Sequence, residues 1–178
     1  MNPVCIGLGS NLGDSMELLR DSWAELDRIP GIRTGALSRP YLTEPVDMES
    51  EHWFVNAAGV LTTSLAPDVL LRHLLATEQR FGRRRDPGLR QHQDRTLDLD
   101  LLLYGGLVMS SPRLVLPHPH MHRRLFVLAP LAELVPDMEI PGSGRSVREW
   151  LRFRQAEPGC AIIKPRTWPG EHDRSPAG

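Results

Sequence analysis

With 178 residues, 40% of them hydrophobic, the chain is long enough for one compact domain with a substantial core and too short for two comfortable ones. Its net charge of −1 excludes an overall field that would draw it to nucleic acid or to an anionic membrane surface. One lysine, Lys164, stands among the 21 basic residues, which excludes a Schiff-base lysine in the body of the protein and a G-x-x-x-x-G-K-[ST] phosphate loop, so nucleotide phosphates would have to be held by arginine, histidine or metal. Cys5 inside the first apolar run and Cys160 near the C-terminus fit a reduced compartment better than a disulfide framework. The N-terminus reads as no signal peptide and no apolar run approaches a membrane span, so a cytoplasmic location and no membrane partner are expected.

Val4 to Gly9 reads as a short apolar strand, and Ser10-Asn11-Leu12-Gly13 as a turn. Asp14 then caps a helix, with Glu17 three residues on and Met16, Leu19, Trp23 and Leu26 on its apolar face, until Pro30-Gly31 stops the pattern. A strand is expected from Thr34 to Tyr41, a long acidic loop from Thr43 to Glu51, and a second strand from Phe54 to Thr63 that puts Phe54, Asn56 and Ala58 on one face. Pro67 opens a second helix with Leu70, Leu71, Leu74 and Phe81 as its stripe and Gly82 as its stop.

Residues 83–95 carry five arginines against two aspartates, and their position before an acidic strand predicts a phosphate-binding lid; the plainer alternative is a solvated loop. Next come Gly105-Gly106 as a hairpin signal, a short strand near Leu107 to Met109, and a helix from about Arg124 to Leu134 that Pro130 should kink or restart. Ser146 and Glu149 form a capping box for a last short helix, and the proline-rich stretch from 156 to 178 is expected to be loosely ordered, leaving residues 1–155 as the domain. The element order βαββαβ suggests an antiparallel-rich α+β sandwich with helices over one face of the sheet and long loops gathered at one end.

Arg95-Thr96-Leu97-Asp98-Leu99-Asp100 places two carboxylates two residues apart in a run that otherwise reads as a buried strand, so Asp98 and Asp100 share one face while Leu97, Leu99 and Leu101 pack on the other. Such a pair is stabilised by a hard divalent cation that leaves room for water and phosphate, or alternatively by arginine, with Arg95 adjacent. The histidines at 118, 120 and 122 are held extended by Pro119 and do not suit one zinc ion, whereas a single phosphate-facing histidine does fit. Asn56, turned inward, must satisfy an amide donor and an acceptor, which a flat heterocycle can do.

These motifs together resemble the 6-hydroxymethyl-7,8-dihydropterin pyrophosphokinase family over about residues 4–152. The resemblance rests on Gly9-Ser10-Asn11-Leu12-Gly13-Asp14, Tyr41-x-Thr43-x-Pro45-Val46, Phe54-Val55-Asn56-Ala57, Gly82-Arg83-x-Arg85, the Arg95 to Asp100 run, and Pro117-His118 followed by Arg124-x-Phe126. It implies a ferredoxin-like fold with catalytic loops near 10–14, 44–54 and 83–95, and transfer of pyrophosphate from ATP to the pterin alcohol with release of AMP. Asp98 and Asp100 would then hold two Mg²⁺ ions. Phe54 and Phe126 would sandwich the pterin, with Asn56, Thr43 and Pro45 reading its edge. Arg83 and Arg95 would engage the transferred phosphates, and Glu78, Arg85, Arg113, His118 and Arg124 would contact ATP.

The chain departs from the family at Gln91-His92-Gln93-Asp94, where an aromatic and Gly-Pro are common, at Leu75 in place of glutamine and at Pro119 in place of tyrosine. Two competing readings are a metal-dependent phosphohydrolase, which would not need the aromatic pair, and an RNA-binding module, which the net charge and the acids oppose. A monomer is expected, with ATP and the pterin as partners and no nucleic acid.

Overall fold

In chain order the elements are β1 (Asn2–Ser10), α1 (Ser15–Asp27), β2 (Ile32–Leu37), β3 (Tyr41–Thr43), β4 (Phe54–Thr63), α2 (Pro67–Arg80), β5 (Asp98–Tyr104), β6 (Met109–Ser110), β7 (Val115–Leu116), a 3₁₀ turn (Met121–Arg123), α3 (Leu125–Leu134), β8 (Glu139–Ile140), β9 (Arg145–Ser146), α4 (Val147–Gln155) and β10 (Ile163–Pro165). The computed structural model describes residues 2–45, 50–83, 94–157 and 163–171. Arg85, Val46 and most of the expected lid therefore lie outside the described residues. Among those described, no helix is long and apolar enough to cross a membrane.

One antiparallel sheet runs in the order β10-β3-β4-β1-β5, with β2 pairing β4 beyond the stretch that β3 takes. The single strand expected from Thr34 to Tyr41 is thus two strands. Pro40 has no N–H for a ladder, and the hydroxyl of Ser38 steps into it, accepting the Ala58 N–H at 3.0 Å while the Ser38 N–H donates to the Ala58 carbonyl at 2.8 Å. Met109–Ser110 also pairs differently from the expected hairpin, joining Val115–Leu116 instead of β5.

Helices cover both faces of the sheet, which corrects the one-face expectation. Val4, Ile6 and Leu8 of β1 pack with Leu19, Trp23 and Leu26 of α1 and Leu70 and Leu74 of α2. On the other face Cys5 packs with Ala58, Leu102 and Leu103 against Val127, Leu128 and Leu131 of α3 and Val147 of α4. A register shift opposite Cys5 and Ile6 adds one residue to β5, so Leu99, Leu101 and then Tyr104 join the first cluster while Leu102 and Leu103 join the second. Gly59 has no alternative here, because the Trp23 ring fills the space its Cβ would need. Rather than restarting at Pro130, α3 runs through it, with six of its ten residues buried.

Within the stretch expected to be loosely ordered, residues 163–171 are packed on the domain, while 158–162 and 172–178 lie outside the described residues. β10 adds an edge strand to β3, and Trp168, 6% exposed, seats its indole in the first cluster and donates from Nε1 to the Ser38 carbonyl at 3.0 Å. A large apolar ring with one satisfied donor holds the segment, a signal that its prolines mask in the sequence. Trp168→Ala is expected to cost about 3–5 kcal/mol and to lower the melting temperature by roughly 10 °C. An unchanged melting curve would show that the segment contributes nothing to the core.

Candidate functional site

The second face of the sheet narrows to bare backbone where β1 meets its neighbours. Asn56 of β4, Gly9 of β1 and Asp98 of β5 lie in one cross-strand row, and Ala58, Gly7 and Asp100 in the next. Glycine in a strand interior marks a place where something must approach the backbone closely. A Cβ on Gly9 would stand 3.0 Å from Asn56 Oδ1 and 3.9 Å from Asp98 Cβ, so the row can hold an amide and a carboxylate on either side only because β1 offers no side chain there.

Around this floor lies a pocket lined by Thr43, Phe54, Asn56, Arg95, Asp98, Asp100, Arg124 and Phe126, together with Gly7, Gly9 and Glu44. The Asn56 amide is oriented from behind, donating from Nδ2 to Thr43 Oγ1 at 2.8 Å. Phe126 stands near the start of α3. That helix is tied to β3 and the residues before it by Glu133, whose Oε1 accepts from Arg39 Nε at 2.9 Å and Nη2 at 2.8 Å and from the Tyr41 hydroxyl. Each aromatic ring is faced by a guanidinium, Arg95 over Phe54 at 5.5 Å and Arg124 over Phe126 at 5.6 Å.

A second, basic cleft lies on the other side of the carboxylates. It is lined by Glu78, Arg83, Arg113, His118, Pro119 and His120, and it shares Arg95, Asp98, Asp100 and Arg124 with the pocket. Asp98 is bracketed by cations: Oδ1 lies 2.5 Å from Arg83 Nη1 and Oδ2 lies 3.0 Å from Arg95 Nη1. The arginine alternative for Asp98 is therefore realised here. Arg83 also reaches Glu78 Oε1 at 2.5 Å, and Glu78, 2% exposed, accepts the Leu99 N–H at 2.8 Å. Glu78 thus fixes β5 and Arg83 from below.

Asp100 differs. Burial first, and the charge of Asp98 second, push its carboxyl up to about 7 against the pull of Arg124 and Arg95. An oxygen-only pair with one member held that far from its ordinary range suits a hard divalent cation. Among the described residues no group of three or more His, Cys, Asp or Glu gathers as a metal shell, so any ion here would complete its coordination with water and substrate oxygens.

His118 is kept neutral. Burial, with Arg124 and His120 beside it, lowers its pKa to about 4, and the His120 N–H donates to Nδ1 at 3.3 Å, which leaves the proton on Nε2 as a donor for the cleft. His122 turns elsewhere, its ring 5.0 Å from that of Trp150.

The pocket and the cleft thus gather every expected site residue but two. Arg85 lies outside the described residues, and Pro45 lines a neighbouring open cleft with Glu44, Trp53 and Asp94. The glycine floor went unread in the sequence although the alternation Gly7-x-Gly9 in an apolar strand announces it. Asn11 was seen only as part of a motif. Its side chain is 6% exposed and holds the chain at Asp94 and Arg95.

Comparison with known proteins agrees with this geometry. The model of the family described as 7,8-dihydro-6-hydroxymethylpterin-pyrophosphokinase (HPPK) matches residues 5–136. The chain belongs to this family. It is an enzyme of the diphosphotransferase class. It is 42% identical over 151 residues to the 2-amino-4-hydroxy-6-hydroxymethyldihydropteridine pyrophosphokinase of Methylorubrum extorquens, a match covering 85% of this chain and 92% of the relative. With the enzyme of that name from Pseudomonas aeruginosa it shares 42% over 148 residues, covering 83% and 89%. A crystal structure of Plasmodium falciparum HPPK-DHPS with pteroate superposes with a TM-score of 0.68 at 11% identity, a likeness of fold. That superposition covers 85% of this chain but 44% of the other, so this chain spans less than half of the larger protein.

Proposed function

We propose that the chain transfers pyrophosphate from ATP to 6-hydroxymethyl-7,8-dihydropterin in the presence of Mg²⁺, giving AMP and the pterin pyrophosphate on the way to folate. The observation that carries this reading is that an aromatic, amide-lined pocket and an arginine-lined cleft share Arg95, Asp98, Asp100 and Arg124. A flat heterocycle in the one and a polyphosphate in the other would meet at those residues. The order β5-β1-β4-β2, with α1 and α2 on one face, supports a ferredoxin-like βαββαβ core.

In this reading Phe54 and Phe126 take the faces of the pterin and Asn56, set by Thr43, takes its edge, so that the hydroxymethyl group points toward Asp98 and Asp100. Arg83, Arg113, Arg124 and His118 hold the phosphates, His118 as a neutral donor from Nε2. Asp98 and Asp100 would hold Mg²⁺, which neutralises phosphate charge and lowers the pKa of a bound hydroxyl. The hydroxyl oxygen gives up its proton to solvent and bonds to the β-phosphorus as the bond from that phosphorus to the α-bridging oxygen breaks, and AMP leaves with the electron pair. Catalysis on this account is positioning and charge placement, with no covalent intermediate on the protein.

The test is incubation with ATP, Mg²⁺ and the pterin alcohol. AMP appearing in step with a pterin pyrophosphate is the expected result. ADP or free phosphate formed without the pterin product would replace this reading with hydrolysis, and AMP formation that persists in the presence of a chelator would remove the metal from it.

A further inference from the structure

The turn after β1 holds the approach to the site through the main chain of Arg95 and the side chain of Asp94. Asn11 sits between the end of β1 and the start of α1. Its neighbours are tied by hydrogen bonds, with Ser10 Oγ donating to Ser15 Oγ at 2.8 Å and Asp14 capping α1 by accepting the Glu17 N–H at 3.1 Å. From that point Asn11 makes three hydrogen bonds to two consecutive residues. Its N–H donates to the Arg95 carbonyl at 3.1 Å, its Oδ1 accepts the Arg95 N–H at 2.8 Å, and its Nδ2 donates to Asp94 Oδ1 at 2.6 Å.

Both backbone polar groups of Arg95 are therefore taken by one residue, three positions before Asp98. Past that clamp, the Arg95 guanidinium reaches Asp98 at 3.0 Å and lies over the Phe54 ring at 5.5 Å. Its Nε is buried with no hydrogen-bond partner among the described residues, so the side chain is not fixed at every atom by its own contacts. Asp94 in turn lines the open cleft with Glu44, Pro45 and Trp53, beside the strand end that carries Thr43. Asn11 is the point at which the turn after β1 is joined to the approach to β5.

We propose that Asn11 is a positioning residue for the transfer reaction: it acts through Arg95, setting where the guanidinium stands when charge builds on the migrating phosphoryl group. This rests on the pyrophosphokinase reading above, which wild-type turnover tests by itself. Asn11 fits the part because its amide both donates and accepts. Alanine does neither, and aspartate accepts from the Arg95 N–H but sets a second carboxylate against Asp94.

Three measurements decide it. Asn11→Ala should lower kcat about tenfold with both KM values within about threefold, because the lost element is alignment and not ground-state binding. Combined with Arg95→Ala, which alone should cost about a hundredfold, it should add no more than about twofold, since a residue that acts through Arg95 has nothing left to position. Losses that multiply to about a thousandfold would overturn the proposal. In the swap, Asn11→Asp alone should be at least as damaging as Asn11→Ala, while Asn11→Asp with Asp94→Asn rebuilds the same bond with donor and acceptor exchanged and should return kcat to within about threefold. A swap no better than Asn11→Asp would also overturn it.

The third readout needs no turnover. The Arg95 Nε–H should give a resolved, slowly exchanging NMR signal in the wild type and the swap, and should merge with those of mobile arginines in Asn11→Ala. A signal unchanged in Asn11→Ala would refute positioning even with an active enzyme. A wild type that makes no AMP would refute the activity and leave the NMR comparison to decide the role of Asn11.

Discussion

Asp100→Asn is expected to lower turnover by about a thousandfold, ~4 kcal/mol, and at the same time to make the ligand-free protein more stable. The two effects have one cause. Burial and the charge of Asp98 push the Asp100 carboxyl from its ordinary value near 3.8 up to about 7. The folded chain then holds a proton that the unfolded chain releases, so the contribution of this group is fully present below the unfolded value and is lost as pH rises through about 7. At pH 8 the ionised side chain is a cost to the fold. Asparagine keeps the shape and removes the charge, which should be worth about 2 kcal/mol there, or ~5 °C in melting temperature, and close to nothing at pH 4. Melting curves of both proteins at pH 4 and pH 8 check this. Addition of Mg²⁺ and ATP should reverse the order, raising the wild type and leaving Asp100→Asn nearly where it was. If Asp100→Asn melts lower than wild type at pH 8 without ligand, the carboxylate is already compensated by the protein and the case for a cation there fails.

On the proposed reading, stability and function pull apart at this residue, and the same tension makes it visible in the sequence. Period-two alternation places Asp98 and Asp100 together on one face from the sequence alone, because a strand fixes side-chain direction locally. The helices α1 and α2 were legible for the same reason, each bounded by signals within its own residues: Asp14 and Pro30 for one, Pro67 and Gly82 for the other. What could not be read there depends on partners far along the chain. β2 and β3 separate because Ser38 finds Ala58, β10 exists because β3 offers an edge, and Trp168 is core because Ser38 offers a carbonyl. The two-faced covering of the sheet was missed because Cys5, Ala58 and Gly7 are small and look weakly apolar, yet small residues are what let the apolar helix α3 approach. In the site, the arginines were legible as a basic run, but their order of engagement was not. Only the fold shows that Arg83 is tied to Glu78 and Asp98.

Arg95→Ala is expected to lower kcat about a hundredfold, ~3 kcal/mol, with the KM values for ATP and pterin changed by less than about fivefold. The argument rests on what Arg95 already touches. Its Nη1 is 3.0 Å from Asp98 Oδ2, and its guanidinium lies over Phe54 where the pocket and the cleft meet. A cation placed there already stands 3.0 Å from a carboxylate, so little of its charge is free to strengthen ground-state binding. In the proposed reaction, charge would accumulate beside this side chain as the phosphoryl group moves between the two oxygens, and a donor already oriented would need no reorganisation to meet it. Arg95→Lys should recover little, because a point charge replaces a planar fork that has to serve Asp98 and phosphate together. The counterpart is Arg113, which lines the basic cleft and not the pocket. Its loss should raise KM for ATP with kcat nearly unchanged, the pattern of an interaction made equally in ground and transition states. Should Arg95→Ala show that second pattern instead, weak ATP binding with normal turnover, Arg95 holds nucleotide and the group that meets the transition state is one of the other arginines of the cleft.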